Sequence, residues 1–151
     1  GVQTCALPIS NWLIPLAQTL QRLGIKRAWL LHGQDGLDEA TTTCETSVVA
    51  LESGVIRSFT LAPEEAALPR AEPKALIGGD PAYNAAALRA ALAGEKGPYR
   101  DIAVLNAAIA LVVAEKAGTI REGAECAARA LDTGAAKEKL NALVQYSRQA
   151  Q

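Results

Sequence analysis

The chain has 151 residues, which suits one ordinary domain, and it is 50% hydrophobic but only 4% aromatic, so its core must consist mainly of Ala, Leu, Val and Ile. Its formal net charge of −1, with both signs interspersed, gives no electrostatic basis for binding nucleic acid or an anionic membrane surface. Three cysteines without Cys-x-x-Cys spacing and a single histidine argue against a disulfide framework or a zinc site, so we expect a reducing, cytoplasmic setting.

The opening segment, residues 1–10, differs in character from the rest of the chain. It has neither a basic start nor a long apolar run, so it is not a secretory signal peptide. Its sequence looks like the translation of a common library-sequencing adapter, and a natural disordered terminus is the alternative. We expect residues 1–10 to be a non-native leader and the native sequence to begin near Asn11, with its own beginning missing.

The next part of the chain predicts a helix, a buried strand and a hairpin. Apolar residues on one helical face predict a helix that ends at Gly24. The apolar run 28–31 lacks alternation, which is typical of a strand buried on both faces of a parallel sheet. Ser53-Gly54 joins segments 46–51 and 55–61 into a predicted hairpin. Residues 63–74, punctuated by three prolines, are expected to form a surface connection with one helical turn.

The remaining sequence is strongly helical. Asp80 and Pro81 predict an N-cap and a first helical residue, and the helix that follows should bury Leu88. Residues 102–114 are too short to span a membrane and predict a buried core helix. A capping box at 119–122 opens a third helix, and a last one has an apolar face that includes Leu143. The buried strand needs neighbours on both sides: the hairpin can cover one edge, but nothing in the sequence supplies a parallel partner for the other, so we expect the carboxyl-terminal part of a larger α/β protein.

One acidic segment follows the predicted buried strand. Gly33 and Gly36 should end the strand and allow a tight turn. Asp35, Asp38 and Glu39 then emerge just past the carboxyl end of the strand, where open α/β sheets bind ligands.

This segment carries a family resemblance. The stretch His32-Gly-Gln-Asp-Gly-Leu-Asp-Glu39 resembles the metal-binding loop of the anthranilate phosphoribosyltransferase family, and further similar motifs follow in the same order at 78–85, 92–98, 100–108 and 130–136. The resemblance implies the nucleoside-phosphorylase-like phosphoribosyltransferase fold, with residues 11–151 forming part of its catalytic α/β domain. We therefore expect α/β architecture with one buried strand, a hairpin and about five or more helices.

The resemblance also implies a chemistry. The family transfers the phosphoribosyl group of phosphoribosyl pyrophosphate to the amino nitrogen of anthranilate in tryptophan biosynthesis, and releases pyrophosphate. Its adjacent Asp-Glu pair, which holds Mg²⁺, corresponds to Asp38 and Glu39. The family's glycine-rich phosphate loop, its Lys-His-Gly-Asn stretch, its anthranilate-holding arginine and most of the helical domain that carries the dimer contact have no counterpart in these residues. We expect weak metal binding and no transfer activity from residues 11–151, and a homodimer for the full-length enzyme but not for this part.

Each candidate residue also has a simpler interpretation. Asp38 and Glu39 could form a solvated acidic turn, and Asp35 is expected to be a turn residue that bonds nearby backbone. His32 is expected at a strand end with its ring bonded to a neighbour. Asn106, alone in an apolar helix, predicts a buried hydrogen-bond anchor between helices. The hydroxyls of residues 41–43 suit either phosphate contact or a polar approach to a strand.

Two rival functions stay open at this point. A pyrimidine nucleoside phosphorylase-like enzyme on the same fold would use phosphate as its nucleophile and would not need Asp38 and Glu39 for Mg²⁺. A non-catalytic helical interaction module would use residues 81–150 and would need an exposed apolar helix face, whereas the sequence suggests that these faces are used in the core.

Overall fold

The computed structural model describes residues 9–149, and the predicted leader therefore lies, for residues 1–8, outside the described part. The helices are α1 (Leu13–Arg22), α2 (Pro81–Leu92), α3 (Pro98–Val113), α4 (Ile120–Asp132) and α5 (Ala135–Gln149). The strands are β1 (Arg27–Gly33), β2 (Thr46–Glu52) and β3 (Val55–Leu61), and short 3₁₀-helices lie at Ile9–Trp12, Pro63–Ala66 and Pro73–Leu76. The described residues thus form three strands and five α-helices, which confirms the predicted α/β class.

The strands form one antiparallel sheet in the order β1-β2-β3. The predicted hairpin is confirmed: β2 and β3 are joined at Ser53 and Gly54, whose φ angles are 49° and 83°. Two consecutive positive φ values are what a type I′ turn requires, and the second is readily adopted by glycine.

Within the described residues β1 has a single strand neighbour, and the parallel partner expected at its other edge stays a prediction. Along its whole length β1 pairs antiparallel with β2, and β2 is the middle and more buried strand of the described sheet. The apolar run of β1 arises because helices cover both faces: Leu30 packs in a cluster with Leu13 and Ala17 of α1, while Leu31 packs against the main core. Coverage of both faces explains the composition of the strand without fixing its direction.

The main core lies between the sheet and helices α3 and α4. Leu105 and Ala108 of α3 are fully buried there with Val48 of β2, which confirms α3 as a core helix. The helices approach closely at Gly123 of α4, where an added Cβ would lie 2.7 Å from the carbonyl oxygen of Ala108. Among the described residues, no helix is long and apolar enough to cross a membrane.

The predicted helix starts are confirmed at their caps. The Asp80 carboxylate accepts a hydrogen bond from the Tyr83 backbone N–H at 2.8 Å. The Thr119 hydroxyl accepts one from the Glu122 N–H at 3.2 Å, and the Glu122 carboxylate accepts from Gly118, one residue before the cap. Side-chain acceptors at these positions satisfy backbone donors that have no partner within the first turn.

The predicted packing of α2 and α5 is wrong in part. Leu88 of α2 is 54% exposed and Leu143 of α5 is 65% exposed, and no residue of α5 is buried. The connection after β3 also departs from a simple surface loop, since Ala66 of its first 3₁₀-helix is buried in the main core.

Candidate metal-binding site

The candidate site lies on the loop between β1 and β2, residues 34–45, which we call the acidic loop. The loop begins with a tight turn in which the N–H of Gly36 donates to the carbonyl of Gly33 at 2.9 Å and the N–H of Gly33 donates to the carbonyl of Leu37 at 2.8 Å. Gly36 has φ of +99°, and an added Cβ at Gly33 would lie 2.5 Å from the Asp35 carboxylate. The positive φ favours glycine at Gly36, and a side chain at Gly33 would have to displace the Asp35 carboxylate.

Asp35 is a structural residue of this loop, as predicted. One carboxylate oxygen accepts from the Leu37 N–H at 3.2 Å, and the other accepts from the hydroxyls of Thr41, at 2.6 Å, and Thr43. Partial desolvation opposes ionisation, but these hydrogen bonds outweigh it and lower the pKa of Asp35 below its usual value. Thr41 and Thr43 thus hold the loop together through Asp35.

Asn106 holds the backbone of Ala40, the residue just after the acidic pair Asp38 and Glu39. Its Oδ1 accepts from the N–H of Ala40 at 3.0 Å, and its Nδ2 donates to the carbonyl of Ala40 at 2.8 Å and to the carbonyl of Ile102 at 3.0 Å. The prediction of a hydrogen-bond anchor is therefore right, but the anchor joins α3 to the acidic loop rather than to another helix.

Asp38 and Glu39 lie exposed at the tip of this braced loop. Within residues 9–149 no side chain forms an ion pair with either carboxylate, whereas Glu45 on the same loop is paired with Arg70 at 2.6 Å. Partial desolvation, followed by the negative charge of Asp38, raises the pKa of Glu39. A bound cation would relieve that repulsion.

The available carboxylate ligands fit Mg²⁺ better than a cation that must be coordinated by protein side chains alone. The described residues contain no group of three or more His, Cys, Asp or Glu side chains placed to hold a metal ion. Mg²⁺ is usually held by one or two carboxylates together with water and substrate phosphate oxygens. Asp38 and Glu39 can supply those two carboxylates, and the oxygens of Asp35 are already engaged.

Other predicted residues have different roles from those expected. His32 lies near the end of β1, but its Nδ1 is buried and has no hydrogen-bond partner in the described part of the chain, so the expected bond is not formed. Thr42 is fully buried, which places its hydroxyl away from any phosphate in solution. The Asp35–Thr41 bond was not predicted, and its only signal in the sequence is the run of three threonines that follows the acidic residues.

Comparison with known proteins gives a consistent result. Residues 9–137 match the family model described as "Glycosyl transferase family, a/b domain". Anthranilate phosphoribosyltransferase of Methylocella silvestris is 59% identical over 140 residues, covering 93% of this chain and 40% of the relative. The protein of the same name from Beijerinckia indica subsp. indica is 59% identical over 138 residues, covering 91% of this chain and 40% of the relative.

Solved structures show the same similarity in three dimensions. The crystal structure of anthranilate phosphoribosyltransferase from Thermus thermophilus is 39% identical, with a TM-score of 0.82, over 91% of this chain and 40% of that one. The Saccharomyces cerevisiae enzyme in complex with PRPP and Mg is 21% identical, with a TM-score of 0.77, over 85% of this chain and 38% of that one, and shows the shared fold.

The coverage of these matches is uneven. The chain spans about two fifths of the length of the relatives that it matches, while those relatives match nearly all of the chain. The fold is that of the nucleoside-phosphorylase-like enzymes to which the Thermus thermophilus structure belongs, as predicted. The family model covers most of the sequence, and the chain therefore belongs to the glycosyl transferase family, a/b domain.

Proposed function

We propose that the chain is part of an anthranilate phosphoribosyltransferase, which transfers the phosphoribosyl group of phosphoribosyl pyrophosphate to the amino nitrogen of anthranilate in tryptophan biosynthesis. The observation that carries this proposal is the adjacent, exposed pair Asp38 and Glu39 on a loop braced from both sides. The names of the relatives support it, since proteins more than 50% identical to this chain are anthranilate phosphoribosyltransferases.

In this proposal Asp38 and Glu39 hold Mg²⁺ against the phosphates of the substrate. The ion would act as a Lewis acid and template, because it neutralises negative charge that develops on the departing pyrophosphate. The chain's own contribution is to present both carboxylates from one short segment on exposed residues. The S. cerevisiae structure named above contains PRPP and Mg, which supports the choice of metal and phosphate substrate.

The remaining expectations are part of the same proposal. Residues 11–151 would form part of a catalytic domain, and residues 1–10 would be a non-native leader. The full-length enzyme would be a homodimer that works in the cytoplasm, where the free thiols Cys44 and Cys126 would stay reduced.

The exposed apolar side chains of α5 favour one further candidate, a helical interaction module. Leu143, Val144 and Tyr146 are 65%, 38% and 71% exposed, so this helix has apolar surface that the described core does not use. The family match extends over residues 9–137, however, and includes the sheet and the acidic loop, which such a module would not need. The interaction module is therefore the weaker candidate.

The test is made at the full length of the relatives. In a hybrid enzyme, residues 11–151 of this chain replace the matching segment of the M. silvestris relative, and release of pyrophosphate is followed with phosphoribosyl pyrophosphate and anthranilate. We expect turnover that EDTA abolishes and excess Mg²⁺ restores. Phosphorolysis of a pyrimidine nucleoside that is insensitive to EDTA, without anthranilate transfer, would show the rival phosphorylase instead.

A further inference from the structure

We infer that Asn106 is a positioning residue for the acidic pair: its side-chain amide holds the backbone at Ala40, so that Asp38 and Glu39 are presented together to a divalent cation. This inference rests on the proposed function, because it takes the acidic pair as the Mg²⁺ site. It concerns a residue 66 positions from Ala40 in the sequence, whose side-chain hydrogen bonds go to backbone groups and not to the carboxylates of the acidic pair.

The two residues that flank the pair are both fixed through their backbone. Leu37, just before the pair, donates its N–H to the Asp35 carboxylate at 3.2 Å and accepts from the Gly33 N–H at 2.8 Å. Ala40, just after it, is held at both its N–H and its carbonyl by Asn106. These bonds leave the two acidic residues as a short segment between two anchored peptide units.

Asn106 is itself held by a third hydrogen bond and by the packing of α3. Asn106 lies on α3 next to Leu105, which is fully buried in the main core, and its Nδ2 also donates to the carbonyl of Ile102 on the same helix. That third bond fixes the orientation of the amide, and the packing of α3 fixes its position. Ala40 is fully buried and part of the same core cluster. Movement of the loop at this point would therefore break hydrogen bonds and packing together.

Such bracing matters because like charges are placed side by side. Two adjacent carboxylates repel each other, and a loop free to rearrange would move them apart when no cation is bound. Binding would then have to restore the arrangement at a cost in free energy. Hydrogen-bonded residues behind metal ligands commonly reduce that cost, and their loss weakens metal binding.

The chain contains a matched control for the same chemistry. Asn84 of α2 bonds both backbone groups of one residue, accepting from the Gly79 N–H at 2.8 Å and donating to the Gly79 carbonyl at 3.0 Å. These two hydrogen bonds close the loop before α2 and involve no residue of the acidic loop. Asn84→Ala removes two side-chain hydrogen bonds to the backbone of one residue, Gly79, just as Asn106→Ala removes two to Ala40. A difference between the two variants therefore reports where in the structure the bonds are lost.

The experiment uses the full-length hybrid enzyme and two readouts. Hydrogen exchange in peptides covering residues 36–42 is measured without metal, and the Mg²⁺ concentration for half-maximal activity is measured alongside the KM for anthranilate. In Asn106→Ala we expect exchange in this segment to be about tenfold faster, the effect of one lost hydrogen bond. We expect the Mg²⁺ requirement to rise by about 10- to 100-fold, while the KM for anthranilate changes by less than about twofold.

Asn84→Ala should change neither readout. If Asn106→Ala does not fold, Asn106→Asp, which keeps an acceptor for the Ala40 N–H but loses the donor to its carbonyl, is judged by the same criteria. A folded Asn106 variant with the wild-type Mg²⁺ requirement would overturn the inference if Asp38→Asn and Glu39→Gln raise that requirement. If those two variants leave it unchanged, the metal assignment itself is wrong, and the inference is overturned with it.

Discussion

Arg100 and Asp132 join the first turn of α3 to the last residue of α4. The guanidinium Nη2 of Arg100 donates to the Asp132 carboxylate at 2.9 Å, and Lys96 donates to the same oxygen at 3.1 Å. The two cations differ in their surroundings, since the side chain of Arg100 is 6% exposed and that of Lys96 is 69% exposed. The same carboxylate oxygen of the exposed Asp132 thus pairs with one buried and one exposed cation.

The two cations should therefore contribute unequally to stability. Arg100→Ala should lower the free energy of unfolding by about 2 kcal/mol, because it removes a well-packed buried side chain. Lys96→Ala should change it by less than about 0.5 kcal/mol, because an exposed pair is screened by solvent. Denaturant unfolding of the two variants measures both values, and equal losses would contradict the assignment.

The contact between α3 and α4 depends on the absence of a side chain at Gly123. An added Cβ there would lie 2.7 Å from the carbonyl oxygen and 2.9 Å from the Cα of Ala108, which are backbone atoms that cannot move aside. Gly123→Ala should thus destabilise the protein by about 1–3 kcal/mol. Gly118→Ala is the control, since its Cβ would meet only the flexible Glu122 carboxylate, and we expect a change within about 0.5 kcal/mol. Thermal unfolding distinguishes the two.

Asp35 should make stability depend on pH. Its hydrogen bonds lower its pKa in the folded state, so the stability that it contributes is present above the usual value of 3.8 and is lost as pH falls through the folded-state pKa. At pH 7, Asp35→Asn should lower the free energy of unfolding by about 1 kcal/mol, a value reduced for solvent exposure. The difference from wild type should shrink below pH 3.8 in denaturant titrations. A difference that stays constant down to about pH 2 would show that the charge of Asp35 is not responsible.

Local signals in the sequence predicted most of the elements. The caps at Asp80 and Thr119 and the turn at Ser53-Gly54 depend on neighbouring residues, and each was found where it was predicted. Strand direction depends on distant pairing instead. The apolar run of β1 indicated that both faces of the strand are covered, as they are by α1 and by the main core. It did not indicate that β2 pairs with β1 in the antiparallel direction.

The candidate site was predictable only in part, for the same reason. Asp38 and Glu39 stand out because the motif around them resembles a known metal loop, and their spacing alone would not separate a metal site from an acidic turn. The polar residue Asn106 in an apolar helix indicated a hydrogen bond but not its partner, which lies 66 residues earlier. Similarly, the apolar face of α5 was visible in the sequence, whereas its exposure depends on what packs against it.

The central claim is that Asp38 and Glu39 bind the Mg²⁺ used in phosphoribosyl transfer, and the most direct measurement is the Mg²⁺ dependence of turnover when both are replaced with alanine in the full-length hybrid enzyme. We predict that turnover at saturating substrates falls at least about 100-fold, because several kcal/mol of charge stabilisation are lost. The free energy of unfolding should change by less than about 0.5 kcal/mol, since both side chains are exposed. A folded double variant with the turnover and Mg²⁺ dependence of the unaltered hybrid would contradict the claim.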